Sequence, residues 1–332
     1  MSTGNPFLVA AAMRNEGAFL VEWVCWYRML GFDLLVATND CTDRSPDLLN
    51  LLHEAGWLTH ITHVPAPGKP PKRSAHRAIR AHLQDAPRDW LLICDVDEFL
   101  VIHDGDGTIR DFIGDAPEEA FHGVGFHWKV FGTSGLDRWE DALQHRVFTR
   151  CAPTLTRPNT SFKSLIRNPL DFRRFGAHSP QGFDGEWGKG GNIWIDSEGR
   201  KLGRYDPNTS AQRATHYSRV THAAAQMNHY VIRTPESFAL KRGIPSPSAG
   251  RDRYTDRFYD KFNRNEETDT TALRHAGRFD PLHAQAMALP GLARLHHLCC
   301  ADYVVRLAEC AGRDPAADPR YVRHMDLAGS MA

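Results

Sequence analysis

Two carboxylates one residue apart, Asp95 and Asp97, interrupt the otherwise apolar run Trp90-Leu-Leu-Ile-Cys-Asp-Val-Asp-Glu-Phe-Leu-Val-Ile102. Such a run reads as a fully buried strand of a parallel sheet. Ionised carboxylates almost never sit inside a strand of that kind without a neutralising partner. They are therefore expected at its carboxyl end, where open α/β sheets bind their ligands. Acids so spaced can share a hard cation, or one can bind it directly and the other through water. The chemistry this predicts is metal-assisted, on a substrate that carries phosphate. Glu98 follows at once, and strand alternation points it away from Asp97.

Other residues carry charge that such a site would need. The segment Lys69-Pro-Pro-Lys72-Arg73, with Arg77 and Arg80, reads either as a solvated helix face or as a source of positive charge. Lys163, Lys241 and Arg242 are further candidates for phosphate charge. Asp43 reads equally well as an acid favoured by a helix macrodipole. His296-His297 and Cys299-Cys300 contain metal-binding side chains. Neighbours on a helix point in different directions, so core and surface positions are expected for them.

Strands and helices alternate through the first part of the chain and would position these groups. Residues 7–13 read as a buried strand and 14–17 as the loop after it. Phe19, Trp23, Trp26 and Leu30 have helical spacing over 18–30, and Gly31 is a suitable C-cap. Residues 33–38 form the next strand and 39–43 a polar turn. Ser45-Pro46 starts a helix running to about residue 55. Residues 58–64 are a third strand, 73–83 a basic helix and 90–102 the fourth strand. This alternation predicts a parallel sheet with helices on both faces and right-handed connections. Past Gly114 a strand at 123–131 precedes the turn 132–135, and 137–230 mixes short strands with loops. A short helix opens at Pro235, residues 245–256 read as a linker or mobile loop, and the tail is helical. Its apolar stripe is Leu292, Leu295, Leu298, Ala301, Val305 and Ala308.

Composition narrows the function classes. The 332 residues are 42% hydrophobic and 24% charged, as in an ordinary globular protein. Forty basic side chains balance forty acidic ones, which gives no support to nucleic-acid binding. The seven cysteines form no CxxC pair. Cys25, Cys94 and Cys310 lie among apolar residues and read as buried thiols in a reducing compartment. With no signal-like N-terminus and no apolar stretch of ~20 residues, a cytoplasmic protein without an integral membrane segment is expected.

The set Met13-Arg-Asn-Glu16, Thr38-Asn-Asp-Cys-Thr-Asp43 and Asp95-Val-Asp-Glu-Phe99 resembles family 2 glycosyltransferases of the GT-A fold. The likeness is greatest to the bacterial branch related to the family 92 enzymes. Phe131-Gly-Thr-Ser-Gly135, Phe162-Lys-Ser164, His178-Ser-Pro180, Asn228-His-Tyr230 and Glu236-Ser-Phe-Ala-Leu-Lys241 with Gly243 extend it over residues 6–244. The resemblance implies a nucleotide-sugar donor held by Arg14, Asn15, Glu16, Asp40, Asp43, Arg73, Asp95 and Lys163. It implies Mn²⁺ or Mg²⁺ on Asp97 and Asp95, with His178 or His229 as an added ligand. It also implies transfer with inversion from a UDP- or GDP-sugar to a hydroxyl of a glycan or lipid-linked acceptor. A base is then needed for the acceptor hydroxyl. Asp141, in Trp139-Glu-Asp141, resembles the family's Glu-Asp motif, although it comes early in the chain, and Asp184 and Glu186 are rivals.

The expected organisation is a GT-A-like, Rossmann-like α/β catalytic domain over 1–244, a linker over 245–256 and a helical extension over 257–332. That extension could serve packing, acceptor docking or homo-oligomer formation, and a lipid-linked acceptor would bring the protein to the inner face of the membrane. A nucleotidyltransferase is one alternative, but its Gly-rich phosphate loop is missing from Met13-Arg-Asn-Glu-Gly17. A haloacid-dehalogenase-like phosphatase, with Asp95 as nucleophile, would carry its acids on the first strand. A silent sugar-nucleotide-binding module is the third.

Overall fold

A computed structural model of the chain describes residues 4–114, 116–117, 120–203, 205–246, 250 and 252–331. The first half alternates as the sequence predicts. It comprises β1 (Phe7–Met13), α1 (Gly17–Met29), β2 (Asp33–Thr38), α2 (Ser45–Glu54), β3 (Thr59–Thr62), α3 (Pro71–Asp85), β4 (Trp90–Ile93) and β5 (Glu98–Ile102). The short helix α4 (Ile109–Ile113) leads to β6 (Gly123–Val130), α5 (Gln144–Val147), β7 (Arg150–Cys151), β8 (Phe162–Arg167), β9 (Phe172–Arg174), β10 (Gln181–Phe183), β11 (Trp194–Asp196) and β12 (Ala225–His229). The remainder is α6 (Pro235–Ala239), α7 (Asp256–Phe262), β13 (Glu267–Thr268), α8 (Ala276–Met287), α9 (Leu292–Cys310) and α10 (Pro319–Ser330).

A nine-stranded mixed sheet runs β3-β2-β1-β4-β8-β6-β12-β5, with β11 beside one end of β6. The wound half is parallel, as expected, while β8 and β5 run antiparallel to their neighbours. Period-two alternation sorts side chains cleanly. Phe7, Val9, Ala11 and Met13 join the core under α1 and α2, whereas Leu8 and Ala10 pack with Ala75, Ile79 and Leu83 of α3. Fold class is thus α/β, with helices on both faces.

The run 90–102 is not one strand, contrary to the sequence reading. It breaks at 94–97 into a turn closed by the Glu98 N–H donating to the Asp95 carbonyl at 3.0 Å. β4 then sits mid-sheet while β5 lies at the far edge, paired with β12. In a flat sheet those two strands would be roughly 19 Å apart, at about 4.8 Å per strand. A hydrogen-bonded turn of this length cannot reach so far. The sheet therefore curls, returning β5 to the end of β4.

The helical tail is built into the main core. Leu292, Cys299, Tyr303, Val304 and Leu307 share a cluster with α1, α2 and the sheet. The buried face of α9 is broader than the predicted stripe: His296, Cys300 and Tyr303 are covered, while Leu295 and Val305 are only half-buried. Packing from α1 and α2 on one side and α10 on the other accounts for this. Cys310, expected inside, is exposed at the helix end, whereas Cys25 and Cys94 are buried. A Cβ on Gly17 would lie 2.6 Å from Cys299 Sγ, so glycine permits this close approach of α1 and α9. Two contacts reach the loops beyond: Arg306 donates to the Asn15 carbonyl at 2.9 Å, and Asp302 accepts from Arg44 N–H at 3.0 Å. Among the described residues no helix is long and apolar enough to cross a membrane. Of the 245–256 linker, residues 247–249 and 251 lie outside the described residues, and α7 opens at its end.

Arg320 of α10 joins tail to body. It donates to Glu236 at 2.8 and 2.9 Å, to Asp318 at 2.8 and 3.0 Å, and to the Trp139 carbonyl at 2.6 Å. Its side chain is buried, so removing it leaves Glu236 and the buried Asp318 with only the more exposed Arg313 and Arg138 as partners. Arg320→Ala is expected to lower stability by about 3–5 kcal/mol. Arg313→Ala, which removes a half-exposed partner of the same acids, should cost less than about 1 kcal/mol. Urea unfolding of the two variants measures the contrast.

Candidate active site

The turn between β4 and β5 places Asp95 and Asp97 at the carboxyl end of a central strand, where the sequence predicts them. Both carboxylates are tied to cations. Asp95 contacts Lys72 of α3 and, at 3.3 Å, Lys163 of β8. Burial works against its charge, but the two ammonium groups outweigh it and hold the carboxyl well below the usual range. Asp97 lies 3.3 Å from Lys241 Nζ and 3.8 Å from His229 Nε2. Burial again opposes the charge, and Lys241 leads the groups that keep its pKa low.

Glu98 is part of this assembly, contrary to the alternation argument, because the turn resets the direction of its side chain. It is fully buried and meets Lys163 Nζ at 2.8 Å. Trp128 Nε1 donates to it at 3.0 Å and the Asp95 N–H at 2.7 Å. Burial, reinforced by Asp95 and Asp97, pushes its pKa from the ordinary 4.5 up to about 7 despite Lys163.

Above the acids opens a cavity of about 200 Å³, lined by Arg14, Glu16, Lys72, His229 and Lys241 with both aspartates. Glu16 pairs with Arg233 at 3.4 Å, and burial raises its pKa against the pull of that arginine. Arg233 adopts φ +58°, a strained backbone for a side chain of its size. Its guanidinium lies 3.5 Å over the Phe19 ring, and its Nη2 has no hydrogen-bond partner among the described residues. Arg253 and Tyr254, from the segment read as a linker, also line the cavity. A neighbouring cavity of about 430 Å³ shares Lys72 and Arg253 and is bordered by Arg73 and His178.

Several sequence-predicted residues are employed elsewhere. Lys163 does not line either cavity; its buried ammonium is taken by Asp95 and Glu98. Asn15, at φ +58°, bonds Thr42 twice and joins the loops after β1 and β2. Asp43 accepts from Ser45 and from the Gly17 N–H, the helix-start role. Asp40 is exposed and bonds Asn39. His178 meets the Phe162 carbonyl at 2.9 Å and borders the neighbouring cavity, not the one over Asp97. None of the three acids named for proton transfer lines either cavity. Asp184 and Glu186 stand in exposed ion pairs with Arg173 and Lys189, and Asp141 pairs with His296 of the tail. Sequence reasoning missed Arg233, Arg253 and Trp128, whose roles depend on tertiary approach and carry no motif.

Asp97 and His229 suit a divalent cation. Their 3.8 Å separation is too long for a hydrogen bond and short enough for both atoms to touch one ion. Burial pushes the imidazole down to about 3, leaving it neutral. Trp128, with its ring centroid 4.1 Å away, packs against it.

No protein-family profile matches the chain, and no curated protein matches it. Among solved structures it is similar to S. aureus TarS residues 1–349 in complex with UDP-GlcNAc. That pair shows 12% identity and a TM-score of 0.32, covering 98% of this chain and 91% of the other. It is also similar to the mannosyltransferase PcManGT from Pyrobaculum calidifontis, in complex with GDP-Man and Mn²⁺. There the identity is 15% and the TM-score 0.36, covering 98% and 84% of the two chains. Overlap of this degree assigns neither family nor activity.

Glu98 makes stability depend on pH in a definite sense. Its proton is held to higher pH in the folded protein than in the unfolded chain. The contribution is thus complete below pH 4.5 and is lost as pH rises through about 7. The slope approaches ~1.4 kcal/mol per pH unit within that window. Glu98→Gln should flatten it, as read from urea unfolding at several pH values. Equal slopes in the variant and the parent would mean that Glu98 is ionised throughout.

Proposed function

We propose that the chain is a metal-dependent glycosyltransferase of GT-A type, related to the bacterial branch near family 92. It would transfer a hexose-type sugar from a UDP- or GDP-sugar to a hydroxyl of a glycan or lipid-linked acceptor, with inversion. The observation that carries this reading is the pair Asp95/Asp97 at the carboxyl end of β4, under a cavity rimmed by Lys72 and Lys241. Anionic and cationic groups in one cleft suit a ligand that presents a diphosphate together with a cation. The motif resemblance over residues 6–244 supplies the class of that ligand.

In this reading Asp97 and His229 hold Mn²⁺ or Mg²⁺, and Asp95 supports them through water. The ion supplies charge neutralisation for the departing nucleoside diphosphate. Lys72 and Lys241 lie within reach of the same carboxylates and would turn toward the diphosphate when it arrives. Arg233 offers a further unpartnered donor. Arg14 and Glu16 border the donor cavity; Arg73, expected beside the donor, borders the adjoining one, which would take the acceptor. Residues 1–244 form the catalytic part, with 257–332 docked on it, and a lipid-linked acceptor would bring the chain to a membrane surface.

A thermal-shift screen of nucleoside diphosphates, with and without Mn²⁺, tests this. Ligands that bind only the folded state raise its stability by RT ln(1 + [L]/Kd). A shift with UDP or GDP that needs Mn²⁺ and disappears in Asp97→Asn is expected. Equal shifts with simple phosphate esters would favour a phosphatase instead. Asp97→Asn should also lower donor turnover by at least about 100-fold, as removal of a principal charge-stabilising group does. Undiminished turnover in that variant would end the proposal.

A further inference from the structure

Asp141 was named from the sequence as a proton acceptor, and the paired histidines and cysteines of the tail as core or surface residues. The fold brings the two sets together. His296 and Cys300 are i and i+4 on α9 and so share a face. The loop after β6 delivers Asp141 to that face. Its two carboxylate oxygens lie 3.1 and 3.2 Å from His296 Nε2, and Cys300 Sγ lies 3.5 Å from the same nitrogen. All three ligand atoms fall within 4.8 Å of one another.

In the metal-free form Nε2–H faces the carboxylate and the Cys300 thiol bonds Asp141, so all three side chains converge on one point. A nucleophile–base–acid relay does not fit this geometry. Such a relay joins its acid to one ring nitrogen and its nucleophile to the other. Here His296 Nδ1 is buried with no partner among the described residues.

A cation would satisfy all three groups. Tetrahedral zinc, with bonds of ~2.0–2.1 Å to nitrogen or oxygen and ~2.3 Å to sulfur, places its ligands roughly 3.3 Å apart for N and O and roughly 3.5 Å apart for N and S. The observed separations match both edges. We propose that Asp141, His296 and Cys300 bind a divalent transition-metal ion of the zinc class, joining the loop after β6 to the helical tail. Carboxylate, imidazole and thiolate together favour Zn²⁺ over Mg²⁺. Asp141 and His296 line a cavity of about 190 Å³, with Ala18, His283 and His297 also in its wall, from which a water could complete the coordination. Burial lifts the Cys300 thiol well above its ordinary range, so the free side chain is inert, and a bound metal would displace its proton to water. Asp141 is charged: burial opposes this, but His296 and the nearby imidazoles hold it at about 2.

Asp141 also lies within 4.8 Å of His297 and His324, whose Nδ1 atoms are 3.2 Å apart. A test must separate the two trios and avoid the cation site at Asp97. The protein, stripped with a chelator and carrying Asp97→Asn, is titrated with Co²⁺. One ion per chain is expected, with intense visible bands and a near-ultraviolet thiolate-to-cobalt band. Zn²⁺ should displace it and bleach both. Cys300→Ser should lose the thiolate band, and His324→Ala should keep it, with circular dichroism confirming that each variant is folded. No uptake of Co²⁺, or uptake without a sulfur band, would overturn the proposal. So would a band that survives Cys300→Ser. Uptake abolished by His324→Ala and untouched by Cys300→Ser would assign the ion to the other trio.

Discussion

Charge neutralisation inside the sheet is the constraint on which the rest of the structure depends. Lys163 stands on β8, in the middle of the sheet, with almost no access to water. A buried ammonium demands an anionic partner close by; Asp95 supplies the charge and Glu98 a second acceptor, from opposite ends of the β4–β5 turn. The bonds from Trp128 and from the Asp95 N–H then hold Glu98 against the turn. Asp97 is left projecting into the cavity as a result. The group proposed to hold the cation is thus placed by a charge cluster of which only Asp95 also reaches the cavity.

Much of this was legible in the sequence, for reasons that can be named. Asp95 and Asp97 stood out because charge is rare in a run as apolar as 90–102, and the alternation of strand and helix up to residue 93 followed from periodicity alone. The break at 94–97 was not legible. A four-residue turn flanked by apolar residues on both sides looks like continuous strand, and Glu98 was assigned the wrong direction because period two was carried across the break. Lys163 was recognised as a useful cation, but its burial depends on β8 lying between β4 and β6, a pairing set far along the chain. Arg233 and Arg253 carried no local signal, since a lone arginine in a loop reads as solvated.

The tail shows the same limit more sharply. Its helices and their apolar positions could be read, yet Cys310 was placed inside and the His296–Cys300 face was set aside. The helix rule invoked was sound for neighbours such as His296 and His297, which do point to different partners. It said nothing about residues four apart, nor about Asp141, 155 positions earlier in the chain. Convergence of that kind is a product of packing: α9 is covered on both sides, so its polar residues must find partners among whatever packs against them.

The contacts from α9 to the two loops have a thermodynamic consequence. Arg306 on the Asn15 carbonyl and Asp302 on the Arg44 N–H hold the loops after β1 and β2 from behind. Loops that border a cavity usually lose conformational entropy when a ligand orders them, which weakens binding. For the loop after β1, which borders the cavity through Arg14 and Glu16, that ordering is done during folding, by a helix nearly three hundred residues downstream. The tail would therefore contribute to the affinity of the proposed ligand through freedom that this loop no longer has to lose.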